Sequence, residues 1–150
     1  MRVTFPRLPD HERAWALVER DDGVVFRFYG GGTAGPRLPH DIMHLVVERE
    51  LRISDGIWAG IAAGGACQPL GQPPGQRAEL LADLVAGAAA LGTLTLEKIR
   101  RLTADKLAAL PGTEVDPVVV AVAARALQVE AARWARLRVG EELTYDWPGK

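Results

Sequence analysis

The segment from residue 37 to residue 50, RLPHDIMHLVVERE, contains two of the three histidines in the chain. His40 and His44 are four residues apart, and Asp41 directly follows the first of them. Each residue of an α-helix advances by about 100°, so the two imidazoles lie one turn apart on one face. Helical zinc motifs use this spacing, with an acid after the first histidine as general base. The spacing therefore predicts a site for zinc or another divalent metal.

Two carboxylates of the same segment are candidate partners of this metal. Asp41 is one methylene shorter than the glutamate of the usual motif, so we expect it to be a ligand, a partner of a ligand or the base. Eight residues of helix rise about 12 Å, so Glu48 can share an ion with His44 more easily than with His40. We predict His40, Asp41, His44 and Glu48 as metal ligands, and Asp41 and Glu48 as catalytic. Further ligands must come from elsewhere, and nearby candidates are His11, Glu12 and Asp55.

A structural role for the same residues is the alternative, because acids and histidines are common where helices begin. Pro39 suits a first helical turn, and the helix dipole favours an anion at Asp41. Two classes of function therefore remain open. One is a metal-dependent hydrolase of unknown substrate. The other is a non-enzymatic domain that binds a partner or forms a homo-oligomer. Its contact surface would be the long helix predicted after Asp116, which is apolar around much of its circumference, or the free edge of its sheet.

The elements around this segment predict an α+β fold. RVTFPRL, ERAWALVER and GVVFRFYG are typical of strands, and Asp22-Gly23 predicts a hairpin turn. ELTYDWP near the end alternates again, so we expect it to pair with the N-terminal hairpin. The result is a small antiparallel sheet with four to five helices packed on one face, in a single domain over residues 1–150.

Helix boundaries follow from caps and breakers. We expect the helix with the histidines to run from about Pro39 to about residue 51, and Ser54 or Asp55 to cap a short second helix. Residues 67–76, CQPLGQPPGQ, predict a loop. Thr95 and Asp116-Pro117 predict the starts of the last two helices, the longer of which reaches about residue 138.

Composition argues against several partners. A formal net charge of −1 creates no field that would attract nucleic acid or an anionic membrane. The longest apolar run, VVVAVAA, is far shorter than the ~18 residues that span a bilayer. A single cysteine, Cys67, cannot form an internal disulfide, which fits a reducing compartment. We therefore expect a cytoplasmic protein that binds neither nucleic acid nor membrane.

The histidine segment also resembles parts of known proteins. LPHDIMHLVVEREL followed by DGIWAGIAAGG resembles small bacterial proteins of unknown function that have an LPHDxxHxxVE helix after a hairpin. HDIMH is similar to the HDxxH zinc motif of a ubiquinone-biosynthesis protein family, which implies His40, Asp41 and His44 as ligands. That family's glutamate position falls on Gly56. LPHDIMH is also similar to the HD-domain phosphohydrolase signature, which implies an upstream histidine and a distant aspartate as ligands: His11, and Asp105 or Asp116.

Overall fold

The computed structural model of the protein describes residues 1–65 and 73–148. Its strands are β1 (Arg2–Pro6), β2 (Ala16–Glu19), β3 (Val25–Phe28) and β4 (Glu142–Asp146). Its helices are α1 (His40–Glu50), α2 (Ile57–Ala62), α3 (Pro73–Ala89), α4 (Leu96–Leu107) and α5 (Pro117–Arg136). Cys67 and most of the predicted loop around it lie outside the described residues.

The four strands form one antiparallel sheet in the order β3-β2-β1-β4. Val3 of β1 is paired with Val18 on one side and with Tyr145 on the other, and all three side chains are buried on one face. On the other face, the hydroxyls of Thr4 and Thr144 lie 3.0 Å apart. With five helices in the described residues, this sheet confirms the predicted α+β class and the return of the C-terminal strand.

The turn between β2 and β3 follows the sequence prediction. The N–H of Arg20 donates to the carbonyl of Val24 at 2.9 Å, which closes the hairpin. Gly23 has φ +84°, a left-handed conformation that glycine adopts without steric cost. The Asp22-Gly23 pair therefore sets the turn as expected.

The chain divides into two compact units. The first consists of Met1–Ile42 and the chain from Glu130 onwards, and it contains the sheet and the end of α5. The hydroxyl of Tyr145 donates to Glu130 at 2.7 Å, and the indole N–H of Trp134 donates to the carbonyl of Gly35 at 3.1 Å. These two bonds fix the last turns of α5 against β4 and against the connection that precedes α1.

The second unit, Met43–Val129, contains α2, α3, α4 and most of α1 and α5. Most of its buried side chains are apolar, and the largest of these are Trp58, Leu45, Ile61, Leu81, Leu84 and Ile99; His44, Glu48 and Thr103 are buried polar exceptions. The side-chain amide of Gln128 on α5 donates to the carbonyl of Ala89 at the end of α3, at 2.8 Å. The division falls inside α1 and inside α5, and the single domain over residues 1–150 stays a prediction.

Most helix boundaries agree with the sequence, and one does not. Thr95 caps α4 by accepting from the N–H of Lys98, and Asp116 accepts from the N–H of Val118 at 2.8 Å at the start of α5. α3, however, begins at Pro73, so residues 73–76 of the predicted loop are helical. Proline lacks only an N–H that the first turn of a helix leaves unbonded, so it starts a helix as readily as it ends one. In the described parts of the chain, no helix combines the length and the hydrophobicity needed to cross a membrane.

Candidate metal centre

His44 lies between two carboxylates. It is buried on α1, and its Nε2 is 3.3 Å from Glu79 Oε2 on α3. Its Nδ1 is 3.8 Å from Oε1 of Glu48, one turn further along α1. The two ring nitrogens of one imidazole therefore face different acids, and only one of these acids, Glu48, was expected from the sequence.

His40, His44 and Glu79 together form a group of potential metal ligands. Each offers one ligand atom, and these atoms all lie within 4.8 Å of one another. Zn–N and Zn–O bonds of about 2.0–2.2 Å place ligands roughly 3.4 Å apart in a tetrahedral site. His40 is exposed and Glu79 half-buried, so an ion here would be open to solvent on the His40 side.

Glu79 is the residue that the sequence did not reveal. It lies thirty-five residues after His44, in the segment RAELLADL. The pattern of that segment predicts a helix but gives Glu79 no partner. Its neighbours Ala78 and Leu81 are buried, while Asp83, one turn later on α3, is exposed. No spacing rule joins an acid on α3 to a histidine on α1, because only the packing of the two helices brings them together.

Glu48 holds the start of α2. Its carboxylate accepts from the N–H groups of Ile57 at 3.0 Å, Trp58 at 2.9 Å and Ala59 at 3.2 Å. These are N–H groups that a helix leaves without an internal partner, so Glu48 acts as a cap from another helix. The N-cap residue of α2 is Gly56 and no side chain there caps the helix, so the prediction of a Ser54 or Asp55 cap was wrong.

The position of the Glu48 carboxylate explains why the residue before α2 is a glycine. A Cβ at Gly56 would overlap the Glu48 carboxylate, so this position has no room for a side chain. Glu48 is only 1% exposed, and burial raises the pKa of its carboxyl to about 7, against the lowering effect of the three N–H groups. The structure thus places Glu48 on the Nδ1 side of His44, where metal sites commonly have a carboxylate that orients the ring.

Asp41 occupies a similar niche in the first unit. It is buried in the first turn of α1, and a Cβ at Gly30 would overlap its carboxylate. Burial raises the pKa of this carboxyl to about 6, opposed by the charge of His40. Of the four predicted ligands, the structure brings His40 and His44 together with Glu79. Asp41 and Glu48 lie in glycine-walled niches outside that group.

The other candidates from the sequence are placed elsewhere. Asp55 accepts from Arg77 at 2.8 Å, and Asp116 caps α5. His11 and Glu12 are exposed on the segment before β2. Asp105 is exposed on α4. Comparisons of the chain with known protein families, with curated proteins and with solved structures found no match.

Proposed function

We propose that this protein binds a divalent transition-metal ion, with zinc as the first candidate, through His40, His44 and Glu79. The observation that supports the proposal is the approach of three ligand atoms to within 4.8 Å of one another, from residue types that bind zinc. Two histidines from one helical turn and a glutamate from another helix form a ligand set found in zinc hydrolases. Such sites keep one position open for water.

Hydrolysis is the reaction class that this ligand set favours. A bound divalent ion lowers the pKa of water toward ~7, which makes hydroxide available at neutral pH. Glu48 faces the side of His44 away from Glu79, so its role in the proposal is to orient that ring. Asp41 follows His40 directly, at the position of the general base in helical zinc motifs. Its catalytic role stays a prediction, as does that of Glu48.

Titration calorimetry with zinc on untagged, chelator-treated protein tests metal binding. We expect one zinc per chain and loss of binding in the His40→Ala, His44→Ala double variant. Glu79→Gln should weaken zinc binding by at least about tenfold, because it removes a charged ligand. Asp83→Asn is the matched control, since it changes an exposed acid one turn away on the same helix. Zinc affinity that is equal in Glu79→Gln and wild type would contradict the assignment of Glu79.

Self-association through α5 is the second candidate function. One face of this helix is buried, whereas Val118, Val122 and Val129 on the other are 50%, 55% and 46% exposed. Exposed valines at this spacing form an apolar strip of the kind that pairs with another surface. Light scattering should then give a dimer for wild type and a monomer for Val122→Lys. A monomeric wild-type protein at high concentration would reject this candidate. Both proposals, metal binding and self-association, assume the cytoplasmic location expected from the sequence.

A further inference from the structure

A cavity of about 370 Å³ lies at the start of α1. It is partly open to solvent and is lined by Asp10, His11 and Ala14 and by residues 31–40. Its volume is within the range of small-molecule sites in proteins. His40 is the last residue of this lining, so the cavity ends at a residue of the proposed metal centre.

Backbone hydrogen bonds hold the two walls of the cavity together. The N–H of His11 donates to the carbonyl of Ala34 at 3.0 Å, and the N–H of Ala34 donates to the carbonyl of Glu12 at 2.7 Å. Three glycines of the lining have open space where a side chain would be, because a Cβ on any of them would meet no atom within 4 Å; these are Gly31, Gly32 and Gly35. The carbonyls of Gly32 and Gly35 already accept hydrogen bonds, so the N–H groups of these glycines are the ones considered for a ligand. The two walls are therefore joined by backbone hydrogen bonds, and no side chain of these glycines narrows the cavity.

The charges around the cavity favour an anion. Arg37 is exposed and takes part in none of the ion pairs among the described residues. Asp10 is the one acid of the lining, and the buried Arg7 donates to it at 2.8 Å, so its charge is already balanced. His11 adds a ring donor, and the start of α1 adds the partial positive charge of a helix N-terminus.

We propose that this cavity binds a small organic anion, and that the anion is the substrate of the metal centre. Arg37 and the glycine peptides would hold the anionic group, while Leu38, Pro36 and Ala14 supply apolar contact for the rest of the molecule. A carboxylate and a phosphomonoester share the required charge. The link to catalysis rests on the proposed metal centre through His40, whereas the binding of the anion does not.

The backbone conformation of His11 allows a substitution that removes its side chain without straining the backbone. This residue has φ 72°, a left-handed conformation that is uncommon for any residue with a side chain. Glycine adopts the same conformation without cost, so His11→Gly removes the imidazole and keeps the backbone. We expect His11→Gly to be at least as stable as wild type and to bind the anion more weakly. Loss of affinity without loss of stability would separate a ligand-binding role from a structural one.

Nuclear magnetic resonance titration of chelator-treated protein tests the cavity. The probes are benzoate, phenyl phosphate and the uncharged benzyl alcohol, and the signals are the amides of Gly31, Gly32 and Gly35. We expect at least one anion to shift these amides at concentrations where benzyl alcohol does not. The anion that binds more tightly identifies the class. Arg37→Gln should weaken binding about tenfold, and the exposed Arg100→Gln on α4 should not.

Two results would overturn the proposal in different ways. If neither anion shifts the glycine amides more than benzyl alcohol, or if Arg37→Gln binds as wild type does, the cavity is not an anion site. The titration is then repeated on protein for which calorimetry has shown bound zinc. Tighter anion binding supports the link to the metal centre, and unchanged binding rejects that link. Failure of zinc itself to bind is detected by calorimetry and leaves the anion result intact.

Discussion

Replacement of Glu48 by alanine should destabilise the protein severely. The carboxylate accepts from three N–H groups at the start of α2, and it is 1% exposed. Alanine leaves these donors without an acceptor and leaves a hole beside the fully buried Trp58. We therefore expect the short helix α2 to separate from α1 more easily than in wild type.

The size of the effect follows from the number of donors. A buried donor that loses its partner costs about 1–3 kcal/mol, and the Trp58 N–H is the most deeply buried of the three. Water can reach the other two in part, so they contribute about 1 kcal/mol each. Together with the lost packing, Glu48→Ala should lower the free energy of unfolding by about 4 kcal/mol at pH 5, where the raised pKa keeps the group neutral.

Urea denaturation followed by circular dichroism measures this loss, with a chelator present so that metal binding does not contribute. Glu50→Ala is the matched control, since Glu50 is half-buried on the same helix and accepts only from the adjacent Arg49 among the described bonds. An exposed or half-exposed pair of this kind contributes about 0–1 kcal/mol. If Glu48→Ala costs no more than Glu50→Ala, the capping role of Glu48 is refuted.

The remaining predictions concern the same two niches. Burial raises the pKa of Glu48 from 4.5 to about 7, so its contribution to stability is complete below pH 4.5 and is lost as the pH rises through 7. Between pH 5 and pH 8.5, chelated wild-type protein should therefore lose about 3 kcal/mol relative to Glu48→Gln in urea denaturation; parallel pH profiles would contradict this. Glu48→Gln should also weaken zinc binding by about tenfold in calorimetry, because the His44 ring loses its orienting carboxylate; unchanged affinity would exclude that role. Gly30→Ala should lower the melting temperature by several degrees, because the new Cβ would overlap the Asp41 carboxylate. Gly31→Ala, with open space around its Cβ, is the control and should not lower it. Equal melting temperatures for the two variants would show that the Asp41 carboxylate does not lie against Gly30.

Local rules predicted most of the fold. The turn at Asp22-Gly23, the cap at Thr95 and the start of α5 at Asp116 each depend on residues within a few positions of one another. The alternation of ELTYDWP was enough to predict β4, because a half-buried strand has a period of two. These features are encoded by short segments, so a single sequence reveals them.

The candidate site depends on longer range. His40 and His44 follow from helical spacing, but Glu79 reaches them only through the packing of α3 against α1. Glu48 fits the same helical strip as the histidines, and its spacing suggested a ligand. In the structure the Glu48 carboxylate instead accepts from N–H groups nine to eleven residues later in the chain, at the start of α2. Ser54 or Asp55 was the expected cap of that helix. Spacing along a helix gives the face of a side chain and not its partner.

X-ray absorption at the zinc edge tests the central claim most directly. Chelator-treated protein is loaded with one equivalent of zinc and compared with Glu79→Gln and with the His40→Ala, His44→Ala double variant. We predict scattering from two imidazoles and from oxygen at about 2.0–2.2 Å in wild type, altered oxygen scattering in Glu79→Gln, and no zinc in the double variant. A wild-type protein that takes up no zinc, or a zinc spectrum without imidazole scattering, would contradict a metal centre built from His40, His44 and Glu79.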